Sequence, residues 1–347
     1  MKELFDVTII GGGPAGLYSA FYSGLRGMKT KILEAQPSLG GKVTLYPEKM
    51  IWDAGGQPPV TGAVFAKQLV EQALTFNPAV VLNRKVDFLE KDGNNQFVIT
   101  TDDGSKHHSK SVILANGGGI ITPKRLEIEG ASRFEGNNLH YRMPSLKSLH
   151  NKVVMISGGG NAAIDWAVEL VDIAEKVILV CRKGEAGAHE AQVEKLENSN
   201  AVILRNTVIR SLEGAGSHLD EAVLENVWTG EISKERVHHV LVHHGYHQDN
   251  SLDTSDNLPM ERTEDGFYSG DAQGCTSQEG IFAAGDNISY EGKVNLLVGA
   301  FQDAVNAVNS AKNHIDPSAA ATALVSSHNE QFDERNKQMI REMLGTV

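Results

Sequence analysis

Residues Val7 to Glu34 constrain this chain more than any other stretch. An apolar run, Val7-Thr8-Ile9-Ile10, meets Gly11-Gly12-Gly13-Pro14-Ala15-Gly16; a helical run follows to Arg26, and Thr30-Lys31-Ile32-Leu33 ends in Glu34. Strand, glycine turn, helix and a second strand closed by an acid have the order and size of a dinucleotide-binding βαβ unit. In such a unit Gly11 permits the tight turn, Gly13 lets backbone approach a pyrophosphate, and Gly16 lets the helix sit close on the strand. Pro14 and Ala15 open a helix whose free N–H groups and positive dipole end face the phosphates. Glu34 stands where a carboxylate accepts both hydroxyls of an adenosine ribose. The alternative is a unit that keeps the turn for structure alone.

The pattern then repeats. Val153-Val154-Met155-Ile156-Ser157 leads into Gly158-Gly159-Gly160-Asn161-Ala162-Ala163, a helix through Leu170, and the strand Val177-Ile178-Leu179-Val180. The two turns begin 147 residues apart, at Gly11 and Gly158. Repetition of the whole strand–turn–helix–strand order is far more specific than either motif alone. It implies two nucleotides and electron transfer between two cofactors. The copies differ where the second strand ends: Glu34 in the first, Cys181-Arg182-Lys183 in the second. A carboxylate repels a 2′-phosphate, whereas Arg182 and Lys183 attract it, so the second site is expected to prefer NADPH over NADH. A solvated basic pair is the alternative.

The expected fold class is α/β, with two Rossmann-like three-layer ββα dinucleotide-binding domains, the second inserted into the first. Residues 1–118 and 246–347 form the first domain and 119–245 the second. The 347-residue length suits two domains, and 41% hydrophobic content with 35 glycines suits an α/β protein with many tight turns. A net charge of −12 argues against nucleic acid, whose phosphates demand clustered Lys and Arg. No apolar run approaches the ~20 residues of a membrane-spanning helix. The run at Val7 passes straight into the glycine turn, so it reads as a strand and not a signal peptide. Two cysteines, Cys181 and Cys275, form neither a CxxC pair nor a disulfide framework, and a cytoplasmic location is the simplest expectation.

Along the first domain, Leu39-Gly40-Gly41-Lys42 allows another close backbone approach to a ligand, or is an ordinary loop. Tyr46 either lays its ring on a flat heterocycle or is a half-buried loop tyrosine. Residues 62–76 read as an amphipathic helix, and 96–100 with the turn at Asp102-Asp103-Gly104 as a hairpin. The strand 111–116 stops at Gly117-Gly118-Gly119, which suits a ligand contact or a hinge; Gly245 is a second candidate hinge. The buried strand 280–284 ends in Gly285-Asp286. Asp286 there accepts from the ribityl hydroxyls of a flavin, or else is a loop acid or helix cap. Residues 294–312 read as a helix whose positive end points toward it. Five histidines (His238, His239, His243, His244 and His247) suggest a metal cluster, but along a strand they divide between two faces, so no metal site is expected.

Taken together, Ile10 to Gly16, Leu39 to Gly41, Leu45-Tyr46-Pro47-Glu48-Lys49, Asn138-Leu139-His140-Tyr141, Gly158 to Gly160 with Ala163 to Ala167, Ala188-His189-Glu190, Ala283 to Asp286 and Tyr290 to Leu296 resemble the ferredoxin–NADP reductases built on the thioredoxin reductase plan. The resemblance covers nearly all of residues 5–327. It implies FAD in the first domain, NADPH in the second, a homodimer, and ferredoxin or flavodoxin as electron partner. By similarity the FAD positions are Glu34, Lys42, Tyr46, Val86, Ile121, Asp286 and Ser327, with Tyr46 stacked on the flavin. Thioredoxin reductases carry a redox CxxC ahead of the second glycine turn, but here that segment is His140-Tyr141-Arg142-Met143-Pro144-Ser145. Without a dithiol relay, electrons leave the flavin directly, which suits a one-electron carrier. Since the cofactor carries the chemistry, no acid–base residue is named. Rival readings are a reductase of quinones, small disulfides or oxygen, and a flavin-binding sensor without turnover.

The chain departs from the family pattern in places. Lys42 replaces the usual Gln, Gly187 replaces a further Arg after the basic pair, and Val325 stands where the family places a ring over the outer flavin face, so either Val325 leaves that face open or His328, three residues on, substitutes for the ring. Beyond Ser327, the positions Phe332, Met339, Ile340, Met343 and Leu344 predict an extra helix packing on the body or on a partner subunit.

Overall fold

The computed structural model describes residues 3–185 and 187–345 and divides into two compact units, Met1–Ile120 with Asp249–Val347, and Ile121–Gln248.

The first unit is built on an eight-stranded sheet. Its central strand, Leu4–Ile10, lies parallel between Thr30–Leu33 and Lys106–Leu114. Ala79–Val81 extends the sheet beyond Thr30–Leu33. The long strand Lys106–Leu114 shares its other edge between two neighbours. Its first half pairs antiparallel with Phe97–Thr101, and Val112–Leu114 pairs parallel with Ile281–Ala283. Phe97–Thr101 in turn pairs with Val86–Lys91, completing an antiparallel meander. The central strand is covered on both faces, which is why it is an unbroken apolar run. Val7 and Ile9 pack with Leu17, Ala20, Phe65 and Val308 from the helices. Ile10 instead joins Val86, Leu89, Phe97 and Leu114 on the meander side. Helices Pro14–Leu25, Gly62–Ala73 and Leu297–Ile315 contribute to the helical layer. The expected 62–76 helix ends at Ala73 and tightens into a 3₁₀ turn, Leu74–Phe76. The expected 294–312 helix is displaced by one turn at each end.

The second unit repeats the plan with a five-stranded parallel sheet in the order Leu139–His140, His239–Val242, Val153–Ser157, Lys176–Cys181, Val202–Arg205. Met155, Ile178, Val180 and Val240 pack against Ile209, Leu212, Ala222 and Leu224 of a three-stranded antiparallel meander, Thr207–Glu213, Glu221–Asn226, Ile232–Arg236. Helix Asn161–Leu170 follows the glycine turn and buries Ala163, Ile164, Trp166 and Ala167.

Beyond Ser327 lies helix Asp333–Met343. It is attached through residues at its start: Phe332 meets Phe21 and Phe76, and Arg335 donates to the Thr75 carbonyl at 2.7 Å. Met339, Ile340, Met343 and Leu344 are exposed. No helix among the described residues is long and apolar enough to cross a membrane.

Candidate functional site: two glycine turns

The glycines of the first turn divide by what a β-carbon would meet. On Gly11, whose φ is +108°, it would stand 2.4 Å from the Ala115 carbonyl oxygen; on Gly16, 1.9 Å from that of Gly11. Both are glycine because protein backbone crowds them. Gly13 is different, since the nearest atom is 3.7 Å away. A β-carbon would fit there in ordinary contact, so protein backbone does not demand glycine at this position, whereas a phosphate approaching the backbone does. Gly13 is also the N-cap of helix Pro14–Leu25 and offers no side-chain cap. The helical ladder begins with Leu17 N–H donating to Gly13 C=O at 2.8 Å, leaving the Ala15 and Gly16 amides at the open end.

Around this turn the structure gathers several expected positions. Glu34 is buried; its Oε2 accepts from Gly12 N–H at 2.6 Å and its Oε1 from Gln36 N–H at 2.7 Å. The carboxylate therefore braces the glycine turn, and each oxygen retains acceptor capacity for a ribose hydroxyl. Gly41 approaches so closely that its β-carbon would lie 2.6 Å from Gly13 Cα. A β-carbon on Gly285, at φ +86°, would lie 2.8 Å from Ala15 Cβ, which places the Gly285-Asp286 turn against the helix start. Lys42 Nζ stands 3.0 Å from Asp286 Oδ2. Among the described residues, no hydrogen bond or ion pair joins Tyr46, Val86 or Ser327 to this set. Tyr46 is half-buried, and Val86 is buried with Ile10, Leu33 and Leu114. Ser327 is exposed and hydrogen-bonded to its neighbour His328 at 3.1 Å. Ile121 opens the second unit.

Sequence reasoning missed the residue beneath Asp286. Asp303, 2% exposed, accepts from Gly285 N–H at 3.0 Å and from the Tyr290 hydroxyl at 2.6 Å, and pairs with the buried Lys293. Burial and the bond to Asp303 push the Tyr290 hydroxyl up to about 12. The signal was present: Asp303 is the single acid on the buried face of Leu297–Ile315, among Ala300, Ala304, Ala307 and Val308. Asn287 adds a second clamp, donating to Leu114 C=O at 3.0 Å and to Asn116 Oδ1 at 2.7 Å.

The second turn follows the same division. A β-carbon on Gly158 would lie 2.5 Å from the His243 carbonyl, whereas nothing lies within 4 Å of one on Gly160. Gly160 caps helix Asn161–Leu170, and the Asn161 and Ala162 amides occupy its open end. Asn161 Oδ1 accepts from His189 N–H at 2.9 Å, and Gly187 N–H donates to Gly159 C=O at 2.8 Å, holding the 187–189 loop beside the turn. Arg182 and Lys183 are exposed. Arg182 lies close enough to His244 for its charge, after desolvation, to lower that imidazole's affinity for a proton; His244 Nε2 is 2.8 Å from Ser157 Oγ.

The histidines occupy separate structural roles. His238 Nδ1 accepts from Val153 N–H at 2.8 Å, His239 pairs with His140 at 3.1 Å, and His247 is exposed. Desolvation holds both His239 and His243 down to about 4. Among the described residues no group of three or more His, Cys, Asp or Glu is placed to hold a metal ion.

Two dinucleotide folds, each with a glycine turn at the head of a helix, define a two-domain FAD- and NAD(P)-binding oxidoreductase architecture of the α/β class. The family model described as pyridine nucleotide-disulphide oxidoreductase matches residues 5–311, and the chain belongs to that family. It is 53% identical over 345 residues to ferredoxin–NADP reductase 2 of Exiguobacterium sibiricum, covering 99% of this chain and 98% of that one. It is 52% identical over 345 residues to ferredoxin–NADP reductase 1 of Bacillus thuringiensis, covering 99% of each. Among solved structures, thioredoxin reductases of Lactococcus lactis and T. acidophilum share the fold at TM-score 0.65, with 23% and 24% identity, 90% of this chain and 99% of theirs.

Proposed function

We propose that this chain is a ferredoxin–NADP reductase: it takes electrons from NADPH and passes them, through a bound FAD, to ferredoxin or flavodoxin. The first unit holds FAD and the second NADPH. The observation that carries this reading is a pair of dinucleotide turns in a chain with no dithiol. Its two cysteines, Cys181 and Cys275, are both free and belong to different units. FAD, when bound, supplies two-electron acceptance from a nicotinamide and one-electron delivery to a carrier.

In this reading the protein binds, orients and tunes. Gly13 and the Ala15 and Gly16 amides receive the FAD pyrophosphate, with Gly11 and Gly16 shaping the turn. Glu34 accepts from the adenosine ribose, and Asp286 from the ribityl chain. Tyr46, Val86, Ile121 and Ser327 complete the FAD set by family likeness. In the second unit Gly158, Gly160, Asn161 and Ala162 receive the NADPH pyrophosphate, while Arg182 and Lys183 attract the 2′-phosphate. The exposed apolar residues of the C-terminal helix support a homodimer, and the free cysteines suit a cytoplasmic enzyme.

The test is to record the flavin spectrum of the purified protein, then compare NADPH with NADH in a ferredoxin-coupled cytochrome assay. The expected result is a yellow protein whose cytochrome reduction depends on ferredoxin or flavodoxin and prefers NADPH. A colourless protein that takes up no supplied FAD, or turnover indifferent to the carrier, would overturn the proposal.

A further inference from the structure

The turn between the last two meander strands occupies corresponding places in the two units, and its contents differ. In the first unit it is Asp102 to Ser105. Asp102 N–H donates to Lys85 C=O at 2.8 Å, and the Asp103 carboxylate is occupied by the Thr101 hydroxyl at 2.8 Å, Ser105 N–H at 3.0 Å and Arg84 at 2.6 Å. That turn is polar and closed on itself. In the second unit the turn is Val227 to Glu231. Val227 N–H donates to Asn206 C=O at 2.7 Å, and Asn206 N–H to Lys183 C=O at 3.4 Å, so two hydrogen bonds link the turn to the basic pair.

This turn carries Trp228, which is 77% exposed. Trp228 N–H and Thr229 N–H both donate to Asn226 Oδ1, at 3.0 and 3.1 Å, which fixes the backbone beneath the indole. The ring's Cη2 lies 3.8 Å from where a β-carbon on Gly184 would stand. Gly184 does not have a left-handed backbone; a β-carbon there would press on Asn206 Oδ1 at 3.2 Å, so the missing side chain lets the Asn206 side chain and the ring lie close beside the residue that follows Lys183. An indole carried on a fixed turn and left mostly in water contributes little to folding. It is a ready platform for a flat heterocycle. Adenine and the 2′-phosphate of NADPH hang from one ribose, so a stacking ring and a basic pair that serve the same nucleotide must be neighbours.

We infer that Trp228 is the adenine platform of the second unit, stacking the base whose 2′-phosphate Arg182 and Lys183 receive. This deepens the reading that the second unit binds NADPH, and rests on it. Trp228 is then a determinant of affinity for the adenosine half of the nucleotide and contributes nothing to the choice between NADPH and NADH.

The test is calorimetric titration of the FAD-loaded protein with adenosine 2′,5′-bisphosphate, which has the base and the 2′-phosphate but no nicotinamide. Trp228→Ala is expected to weaken binding about tenfold and Trp228→Phe to restore most of it, since stacking needs a ring and not an indole N–H. Thermal unfolding should be unchanged in both, because the ring is solvated, and bisphosphate quenching of tryptophan fluorescence should diminish in Trp228→Phe. Wild-type affinity in Trp228→Ala, alongside weakened binding in Arg182→Ala/Lys183→Ala, overturns the stacking role and leaves the NADPH reading intact. Equal weakening by Phe and Ala also overturns stacking. Failure of the wild-type protein to bind the bisphosphate overturns both.

Discussion

Lys42 Nζ lies 3.0 Å from Asp286 Oδ2, so the cation beside the Gly40-Gly41 turn is paired with the carboxylate proposed to hold the ribityl chain. Both side chains are about half-exposed, and such a pair contributes only ~0–1 kcal/mol to folding. Its consequence lies in the site. Lys42→Gln should leave thermal stability nearly unchanged and retain FAD. Asp286→Ala should weaken FAD at least about tenfold, because it removes a charged acceptor and leaves Lys42 unpaired. The flavin-to-protein ratio after gel filtration distinguishes them; equal retention by both variants would refute the assignment of Asp286.

Asp303 and Lys293 form a buried pair further held by Tyr290 and Gly285. Breaking it from one side leaves an uncompensated charge, at a cost of ~3–5 kcal/mol. Asp303→Leu and Lys293→Met should each lower the urea midpoint sharply, and the double variant should lose less than the sum of the two. Additive losses in the double-mutant cycle would mean that the two groups act independently.

His243 gives stability a pH dependence of known sign. Its Nε2 is shut off from solvent without a hydrogen-bond partner among the described residues, and desolvation holds the imidazole down to about 4, against 6.5 for an ordinary histidine. The unfolded chain binds the proton more readily, so this contribution is fully present above pH ~6.5 and is lost as pH falls toward ~4. The loss by pH 5 is on the order of 2 kcal/mol. His243→Leu should flatten the denaturation profile between those limits; an unaltered profile would assign the acid limb to other groups.

Gly187 is an exposed position with room beside the second turn. Among the described residues, a β-carbon there would meet only the Gly159 carbonyl oxygen, at 3.9 Å, and its backbone is not left-handed. Gly187→Arg should therefore fold normally and add a cation near the 2′-phosphate subsite. The expected gain is about tenfold in the NADPH-to-NADH ratio of kcat/KM, from one charge-assisted contact. An unchanged ratio would show that the loop directs this side chain away from the phosphate.

The order of strand, glycine turn and helix was legible in residues 7–34 and 153–181 because each is a local pattern: apolar runs fit buried parallel strands, and turn chemistry is set by neighbours in the chain. Glu34 could be read for the same reason, being tied by covalent order to the strand it ends. What tertiary structure decided was which distant residues meet. Asp303, Tyr290 and Gly285 converge because helix Leu297–Ile315 packs beside strand Ile281–Ala283. Trp228 lies near Gly184 in a part of the fold where Asn206 hydrogen-bonds to both Val227 and Lys183. The motif already assigns Gly11 to the tight turn and Gly13 to the phosphate approach. The packed backbone adds what presses on each: the Ala115 carbonyl crowds Gly11, whereas a β-carbon on Gly13 would meet only ordinary contact with Gly41 among the described residues. Sequence carries local conformational preference, whereas long-range contact depends on how whole layers stack. That is why the dinucleotide folds could be read from the chain alone, and the supports beneath their ligands could not.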